Sequence, residues 1–494
     1  MRKILLGTTA VVGAALLGPS VAEAQQAPTV RIGGFFRAYY GYVSQTGNES
    51  VSGNTLSTGL AGGAADQPSN PGSANHRARM GRHDISTNAE VHVFVNGKAA
   101  NGLTYGAVIE INFDQQEGRS IDQTRASTGK TTAGLDEAYA FIAMPQLGQI
   151  RFGDEDGPMG GLMNAGFITN FGTGGIFGEW EDFVTRQRGA RTQTTPGGLG
   201  DSSKIIYLSP QFFGFDFGAS FSPNYNDGAD TGCNNNVSSL FCDRSYAATG
   251  ASAFGIPGAG PAIAARRNEY QLAARWRGSF GGVGLAIAGG YIGSTAKREL
   301  TAANIVSVNP AAPGVIPAGT QHRVFNNLNV WQIGAQATAY GFTIGANWTY
   351  GDANYFWGNT FRGDRPMNQY TVGLSYTAGP FTIGANYVFG TFEGGSRNAY
   401  NPARAGAGST SGLASVSCPA FDINNAATSC TQASMRRWGY GIGANYRLAP
   451  GMDLIAEWIS YRVFERHRDL DPVQPGVQEK ANADVFLTGI RLAF

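Results

Sequence analysis

The sequence predicts an all-β fold, a closed antiparallel barrel of sixteen strands that spans a membrane. Three observations support this prediction: side chains alternate with a period of two, the alternating segments number sixteen, and short turns alternate with long loops. A sheet in a bilayer has to close on itself, because lipid offers no partner for backbone groups. The predicted strands are 29–45, 82–97, 103–116, 135–144, 149–154, 202–209, 214–223, 268–279, 283–295, 328–340, 342–352, 368–378, 381–392, 436–448, 452–465 and 483–494.

The alternation is clearest in the second predicted strand. Asp84, Ser86 and Glu90 share one face, whereas Val91 and Val93 share the other. A barrel wall between lipid and water requires one polar and one apolar face of this kind. A weak repeat supports the count of strands, since the letters IGAN occur at 344–347, 383–386 and 442–445.

Connections and aromatic residues separate a membrane barrel from its alternatives. Turns such as Gly281-Gly282 and Gly379-Pro380 lie at one end of the strands, and loops of about 12 to 45 residues lie at the other. Trp348 and Tyr350 lie near a strand end, where a membrane barrel places an interfacial girdle. A soluble β-barrel or two-layer sheet protein would show similar alternation but would not favour exposed Trp and Tyr there.

The N-terminus resembles a secretory signal peptide. Arg2 and Lys3 precede an apolar run that is broken by small residues, and 22–24 fits a small-x-small cleavage site. We expect residues 1–24 to be removed, which leaves 25–494 as one barrel domain. A retained membrane anchor is the alternative, but the run is short, and no later apolar stretch approaches the ~20 residues of a spanning helix.

The four cysteines form two close pairs in long polar segments. In an exported protein this spacing predicts two local disulfides, Cys233–Cys242 and Cys418–Cys430. The pairs lie in the predicted long extracellular loops 224–267 and 394–435. A metal site is the alternative, but no CxxC motif or neighbouring histidine supports it.

Charge and motifs exclude several classes of function. The formal net charge of +1 argues against a nucleic-acid partner that bulk electrostatics would recruit. The sequence contains no HExxH, GxSxG, Walker-type or CxxC motif, so we expect neither an enzyme nor a cofactor.

One Gly-rich loop, from Asp154 to Arg191, concentrates charge between the fifth and sixth predicted strands. We expect residues 155–185 to fold into the barrel and narrow its pore, with carboxylates on the loop facing arginines on the wall. The carboxylates are Asp154, Glu155, Asp156, Glu179, Glu181 and Asp182, and the arginines are Arg31, Arg37, Arg82, Arg151, Arg186, Arg188 and Arg191. Asp154 and Asp156 are also a weak candidate for a calcium site.

The chain resembles the general porins of Gram-negative bacteria, in particular the alphaproteobacterial type. The resemblance is carried by the hairpin DEAYAFIAMPQLGQIRFGDEDGP at 136–158 and by the final strand ADVFLTGIRLAF, whose apolar face ends on Phe494. A C-terminal aromatic of this kind is similar to the signal by which outer-membrane barrels are recognised for insertion. The segments 224–267 and 394–435 are longer than the family pattern.

The resemblance implies an outer-membrane homotrimer, with short periplasmic turns and a third long loop folded inward. Its partners would be outer-membrane lipid and lipopolysaccharide, the outer-membrane assembly machinery, and small hydrophilic solutes that diffuse passively through the pore. The alternative is a barrel that serves as an anchor or adhesin, whose long stapled loops bind partners.

Overall fold

A computed structural model describes residues 26–45, 51–52, 77–78, 82–113, 133–184, 202–223, 266–296, 327–352, 365–393, 434–465 and 480–494. Within these ranges, no helix is long and apolar enough to cross a membrane. The four cysteines, residues 1–24, and Arg186, Arg188 and Arg191 lie outside the described residues, as do most of 224–267 and 394–435.

Sixteen strands form one closed antiparallel barrel. They are β1 (Gln26–Gln45), β2 (His83–Lys98), β3 (Thr104–Asn112), β4 (Gly134–Met144), β5 (Gly148–Asp154), β6 (Ser203–Leu208), β7 (Phe215–Ser222), β8 (Arg266–Phe280), β9 (Val283–Ala296), β10 (Leu328–Ala339), β11 (Phe342–Asp352), β12 (Met367–Ala378), β13 (Phe381–Glu393), β14 (Ser434–Ala449), β15 (Met452–Glu465) and β16 (Lys480–Ala493). Each strand pairs with its neighbours in the chain, and β1 also pairs with β16. The predicted fold class is therefore confirmed.

The connections differ in length at the two ends of the barrel. At one end they run from two residues, as at Gly281 and Gly282, to six at 209–214. We call this end the turn end. At the opposite end they run from 14 residues at 466–479 to 48 at 155–202. A two-residue pair, Val51–Ser52 with Arg77–Ala78, lies within the first long connection.

The two faces of each strand differ in character because one faces outward and the other faces the lumen. On β11, Ile344 and Trp348 are exposed on the outer face, whereas Gly345, Asn347 and Thr349 are buried inside the barrel. The sequence alternates apolar and polar residues for this reason: apolar side chains meet lipid, and polar side chains meet the lumen and its contents.

Exposed aromatic side chains form two bands on the outer face of four adjacent strands. Within each strand the two rings are six residues apart, or about 20 Å along an extended chain. The pairs are Phe342 and Trp348, Tyr370 and Tyr376, Phe381 and Tyr387, and Tyr440 and Tyr446. Two aromatic bands around an apolar belt are typical of a transmembrane barrel.

The barrel closes at a seam between its first and last strands. The backbone N–H of Gly34 donates to the carbonyl of Phe494 at 3.0 Å, and the N–H of Phe494 donates to the carbonyl of Gly34 at 3.1 Å. Gly34 has φ of 151°, and a Cβ there would lie too close to the carbonyl oxygen of Glu90. Only glycine fits this point of the seam.

Candidate pore constriction

The connection between β5 and β6 lies against the inner wall of the barrel. Its described part, residues 155–184, contains three short helical segments, Pro158–Leu162, Gly175–Phe177 and Glu179–Phe183. We call residues 155–184 the inner loop. Its apolar side chains form a core inside the barrel: Met159, Met163, Phe171, Ile176, Trp180, Phe183 and Val184 are all buried.

Trp180 links the end of the inner loop to the wall. Its ring lies 4.9 Å from the ring of Tyr461 on β15, measured between centroids. Its indole N–H donates to the carbonyl oxygen of Ile176 at 2.8 Å, so the buried polar atom is satisfied within the loop. Further along, Phe183 packs where Gly41 of β1 leaves room.

A row of inward-facing glycines makes room for the inner loop. A Cβ at any of them would lie closer than 3.0 Å to an atom of the loop. The row consists of Gly218, Gly290, Gly334, Gly345, Gly373, Gly384, Gly439 and Gly441. The row extends from β7 to β14, so the loop follows about half of the barrel wall. Because these wall positions have no side chain, the loop can lie close to the backbone of the strands.

Side-chain amides on the same strands hold the backbone of the loop. The side chain of Asn386 accepts from the N–H of Ile176 at 2.9 Å and donates to the carbonyls of Ile168 and Gly174, both at 2.9 Å. Asn347 donates to the carbonyl of Ala165 at 3.0 Å. Two of the three IGAN repeats therefore supply both a glycine under the loop and an asparagine that binds it.

Gln271 and Gln336 extend these contacts to two more strands. Gln271 of β8 accepts from the N–H of Met159 at 3.1 Å, and Gln336 of β10 accepts from the N–H of Gly166 at 3.4 Å. Buried backbone groups need such partners. The wall supplies them without a charge.

Glu457 of β15 holds the backbone of the loop with a carboxylate instead of an amide. It is fully buried and accepts hydrogen bonds from the N–H of Thr173 at 2.9 Å, the N–H of Gly175 at 3.2 Å and the hydroxyl of Thr173. Three donors thus satisfy the buried carboxyl oxygens. Sequence reasoning missed this residue, although it is a single acid at an inward position between outward Ala456 and Trp458.

The inner loop ends at charged contacts with β1 and β2. Glu179 forms an ion pair with Arg37 of β1, and the side chains of the two residues are only 11% and 7% exposed. The guanidinium of Arg37 also lies 3.8 Å from the centre of the Phe35 ring. Asp182 accepts a hydrogen bond from the Ser86 hydroxyl of β2 at 3.3 Å.

The beginning of the loop makes a second ion pair. Arg151 of β5 lies 3.1 Å from the carboxylate of Glu155, and the amine of Lys204 donates to the Glu155 carbonyl. Asp154 accepts from the Ser203 hydroxyl at 2.6 Å, and the N–H of Asp156 donates to the Glu155 carboxylate at 3.2 Å. The structure thus brings Arg37 and Arg151 to acids of the loop.

Two other predicted wall arginines, Arg31 and Arg82, have different neighbours. Arg31 stacks on Phe94 near the turn end, with its guanidinium carbon 4.4 Å from the ring centre. Arg82 is exposed at the start of β2, 3.4 Å from the hydroxyl of Tyr42. Glu181 lies in the last helical segment of the inner loop.

Two further charge clusters on the lumen face were not singled out from the sequence. Asp216 lies 2.7 Å from Arg275 and 3.2 Å from Arg277. Asp453 lies 2.6 Å from Arg491 and 3.8 Å from Arg447. Each Arg–Asp–Arg triad has one more positive than negative charge. The triads lie near the turn end, on β7 and β8 and on β14 to β16, about half of the barrel circumference apart.

The strands beneath the middle of the inner loop carry almost no charge. In the described strands β9 to β13, the only charged residues are Asp352 and Glu393, at the ends that face the long loops. Their inward faces consist of glycine, serine, threonine, glutamine, asparagine and a few apolar residues. The lumen wall therefore has an uncharged sector, β9 to β13, and a charged sector, β14 to β16 and β1 to β8.

Fold and site together define a class of protein. A closed sixteen-stranded barrel with an apolar outer face, aromatic bands and a polar lumen is a transmembrane β-barrel of the outer-membrane type. The chain belongs to the Gram-negative porin family, whose sequence profile matches residues 7–462. Membership of this family makes the chain an outer-membrane porin, and porins are channels rather than enzymes.

Solved structures resemble the chain at low identity. A loop-deletion mutant of OmpT, an outer membrane protein of Vibrio cholerae, is 11% identical with a TM-score of 0.45, and the match covers 95% of this chain and 100% of that one. A triple mutant of the Rhodopseudomonas blastica porin is 14% identical with a TM-score of 0.42, and the match covers 94% and 100%. No curated protein matches the sequence.

Proposed function

We propose that the chain is a diffusion porin whose inner loop forms the constriction of the pore. Small hydrophilic solutes and ions cross passively, and the loop sets the size and the electric field of the narrowest point. The observation that carries this proposal is the ion pair between Glu179 of the loop and Arg37 of the wall, inside the barrel.

The field follows from the uneven distribution of charge around the lumen. Arg37, Arg491 and Arg447 lie on β1, β16 and β14, and Arg37 is directly opposite Arg491 in the register of the seam. The described strands of the uncharged sector carry no opposing charge at this level of the lumen. Charge fixed on one side of a narrow, poorly screened passage sorts solutes by charge and dipole.

Planar-bilayer recording of the purified protein tests the proposal. The wild type should conduct, and Glu179→Gln combined with Asp182→Asn should lower its preference for cations, measured as the reversal potential in a salt gradient. Asp484→Asn is the matched control, since Asp484 lies on an outward-facing position of β16, paired with Arg462. An unchanged reversal potential in the loop variant would remove these acids from the filter.

Absence of current from the folded protein would favour the anchor or adhesin alternative. We further propose, from membership of the family, that the mature chain is a homotrimer in contact with outer-membrane lipid and lipopolysaccharide. Export with removal of residues 1–24, and insertion through Phe494 by the assembly machinery, belong to the same proposal. Cross-linking of intact outer membranes, followed by mass measurement, tests the trimer and the cleavage site together.

A further inference from the structure

Three potential metal ligands meet on the lumen face of β2 and β3. His92 lies directly opposite Glu110 in the register of these strands, and Glu90 is two residues from His92 on the same face. One ligand atom from each residue can be chosen so that all three lie within 4.8 Å of one another. In the described part of the chain, no other group of three such residues meets this condition.

The two nitrogens of His92 have different neighbours. Nε2 lies 2.6 Å from Oε1 of Glu90, a hydrogen-bond distance, whereas Nδ1 lies 3.8 Å from Oε1 of Glu110. A separation of 3.8 Å is too long for a hydrogen bond between these atoms. A cation fits between Nδ1 and Glu110 after a small approach of the two side chains, because zinc binds imidazole nitrogen and carboxylate oxygen at about 2.0–2.2 Å each. One cation uses only one nitrogen of the ring, so Nε2 keeps its hydrogen-bond partner Glu90.

The surroundings orient the ligands and leave the histidine accessible. The Phe35 and Phe94 rings contact His92 edge to face, with centroids at 6.2 and 5.9 Å. Its side chain is 22% exposed, and those of Glu90 and Glu110 are 5% and 10% exposed. Partial burial strengthens the attraction between a cation and two carboxylates, since screening by water is reduced.

We propose that His92, through Nδ1, and Glu110 bind a divalent transition metal of the zinc type on the lumen wall, and that Glu90 orients the ring from Nε2. An imidazole nitrogen beside two carboxylate oxygens suits zinc better than calcium or magnesium, which prefer oxygen alone. This site is separate from the inner loop and from the candidate calcium position at Asp154 and Asp156. It goes beyond the proposed diffusion function, because binding does not require that the pore conducts.

Calorimetry with zinc on EDTA-treated, tag-free, folded protein in detergent tests the site. The wild type should bind one Zn²⁺ per chain, and His92→Gln should abolish this binding. Glu110→Gln should weaken it by at least about tenfold, since the loss of an outer-shell partner alone costs a metal site about 10–100-fold. Cobalt in place of zinc should show visible d–d absorption that disappears in His92→Gln.

Matched controls separate the site from adventitious binding. His83→Gln removes an exposed histidine of the same strand, and Asp216→Asn removes a lumen carboxylate elsewhere, so both should bind as the wild type does. The proposal is overturned by a wild type that binds no zinc, or by variants of His92 and Glu110 that bind as well as the wild type. Heat-modified gel mobility verifies that each variant is folded. If His92→Gln does not fold, zinc binding by Glu110→Gln tests the proposal instead. Conductance is measured separately, so a failure of the zinc-site proposal does not contradict the proposed diffusion function, and the reverse also holds.

Discussion

The uncharged and charged sectors of the lumen wall bind the inner loop in different ways. In β9 to β13 the wall binds the inner loop through glycines and neutral amides, whereas the ion pairs that hold its two ends come from the charged sector. Neutral hydrogen bonds depend little on salt, and they avoid the desolvation penalty that charges suffer on burial. The comparison shows how one loop can be held by neutral contacts along its length and by charges at its two ends.

Enlarging a glycine under the loop should have the largest effect on this arrangement. At Gly334 a Cβ would meet the carbonyl oxygen of Ala165, a backbone atom that cannot rotate away. We expect Gly334→Val to displace the loop, to raise single-channel conductance and to lower the free energy of unfolding by about 3 kcal/mol, the upper end for overpacking. Urea unfolding and bilayer recording measure these effects.

Gly284→Val is the control for that prediction. Gly284 faces the lumen on β9, but its nearest neighbour would be 3.7 Å from a Cβ, an ordinary contact. It should therefore leave both quantities close to those of the wild type. Equal behaviour of the two variants would mean that the glycine row does not support the loop.

Removal of the Glu457 carboxylate should have the next largest effect. Glu457→Ala leaves the buried N–H groups of Thr173 and Gly175 without their acceptor, which should lower the free energy of unfolding by about 2 kcal/mol. Glu457→Gln retains one acceptor oxygen and should lose less. Thermal melting of the folded protein compares the stability of the two variants with that of the wild type. A Glu457→Ala variant as stable as the wild type would contradict the role of Glu457 in holding the loop.

These first two predictions concern features that the sequence only partly revealed. The strands could be predicted because each side chain meets either lipid or lumen, and this choice repeats every second residue. The inner loop could be located because it is long, acidic and rich in glycine. By contrast, the partners of Gly384, Gln271 or Glu457 depend on how the loop lies along the wall. Contacts between segments more than a hundred residues apart leave no local pattern.

Arg37→Gln should change the selectivity of the pore. It leaves the Glu179 carboxylate without this cation, so the preference for cations should rise. One unit charge about 10 Å from a passing ion in water contributes about 0.4 kcal/mol, or about a twofold change in permeability ratio. Reversal potentials measure it, and Arg462→Gln, which alters an outward-facing ion pair, should show no shift.

The smallest effect should come from the triads at the turn end. Asp216→Asn adds one net positive charge beside Arg275 and Arg277, so anion permeability should rise by less than twofold. The shift should vanish in 1 M salt, where screening acts within about 3 Å. Reversal potentials at low and high salt measure this, and a shift that persists in 1 M salt would contradict an electrostatic origin.

The seam between Gly34 and Phe494 has a consequence for the order of folding. The first strand completes its pairing only when the sixteenth strand is in place, so closure joins segments that are separated by the fourteen strands between them. Such non-local pairing is slow, because the entropy of a very long loop is lost before the contact is made. The inner loop also docks on strands that follow it in the chain, from β7 to β15. All sixteen strands are therefore needed before the wall and its lining are complete, and an unpaired strand edge persists until the seam closes.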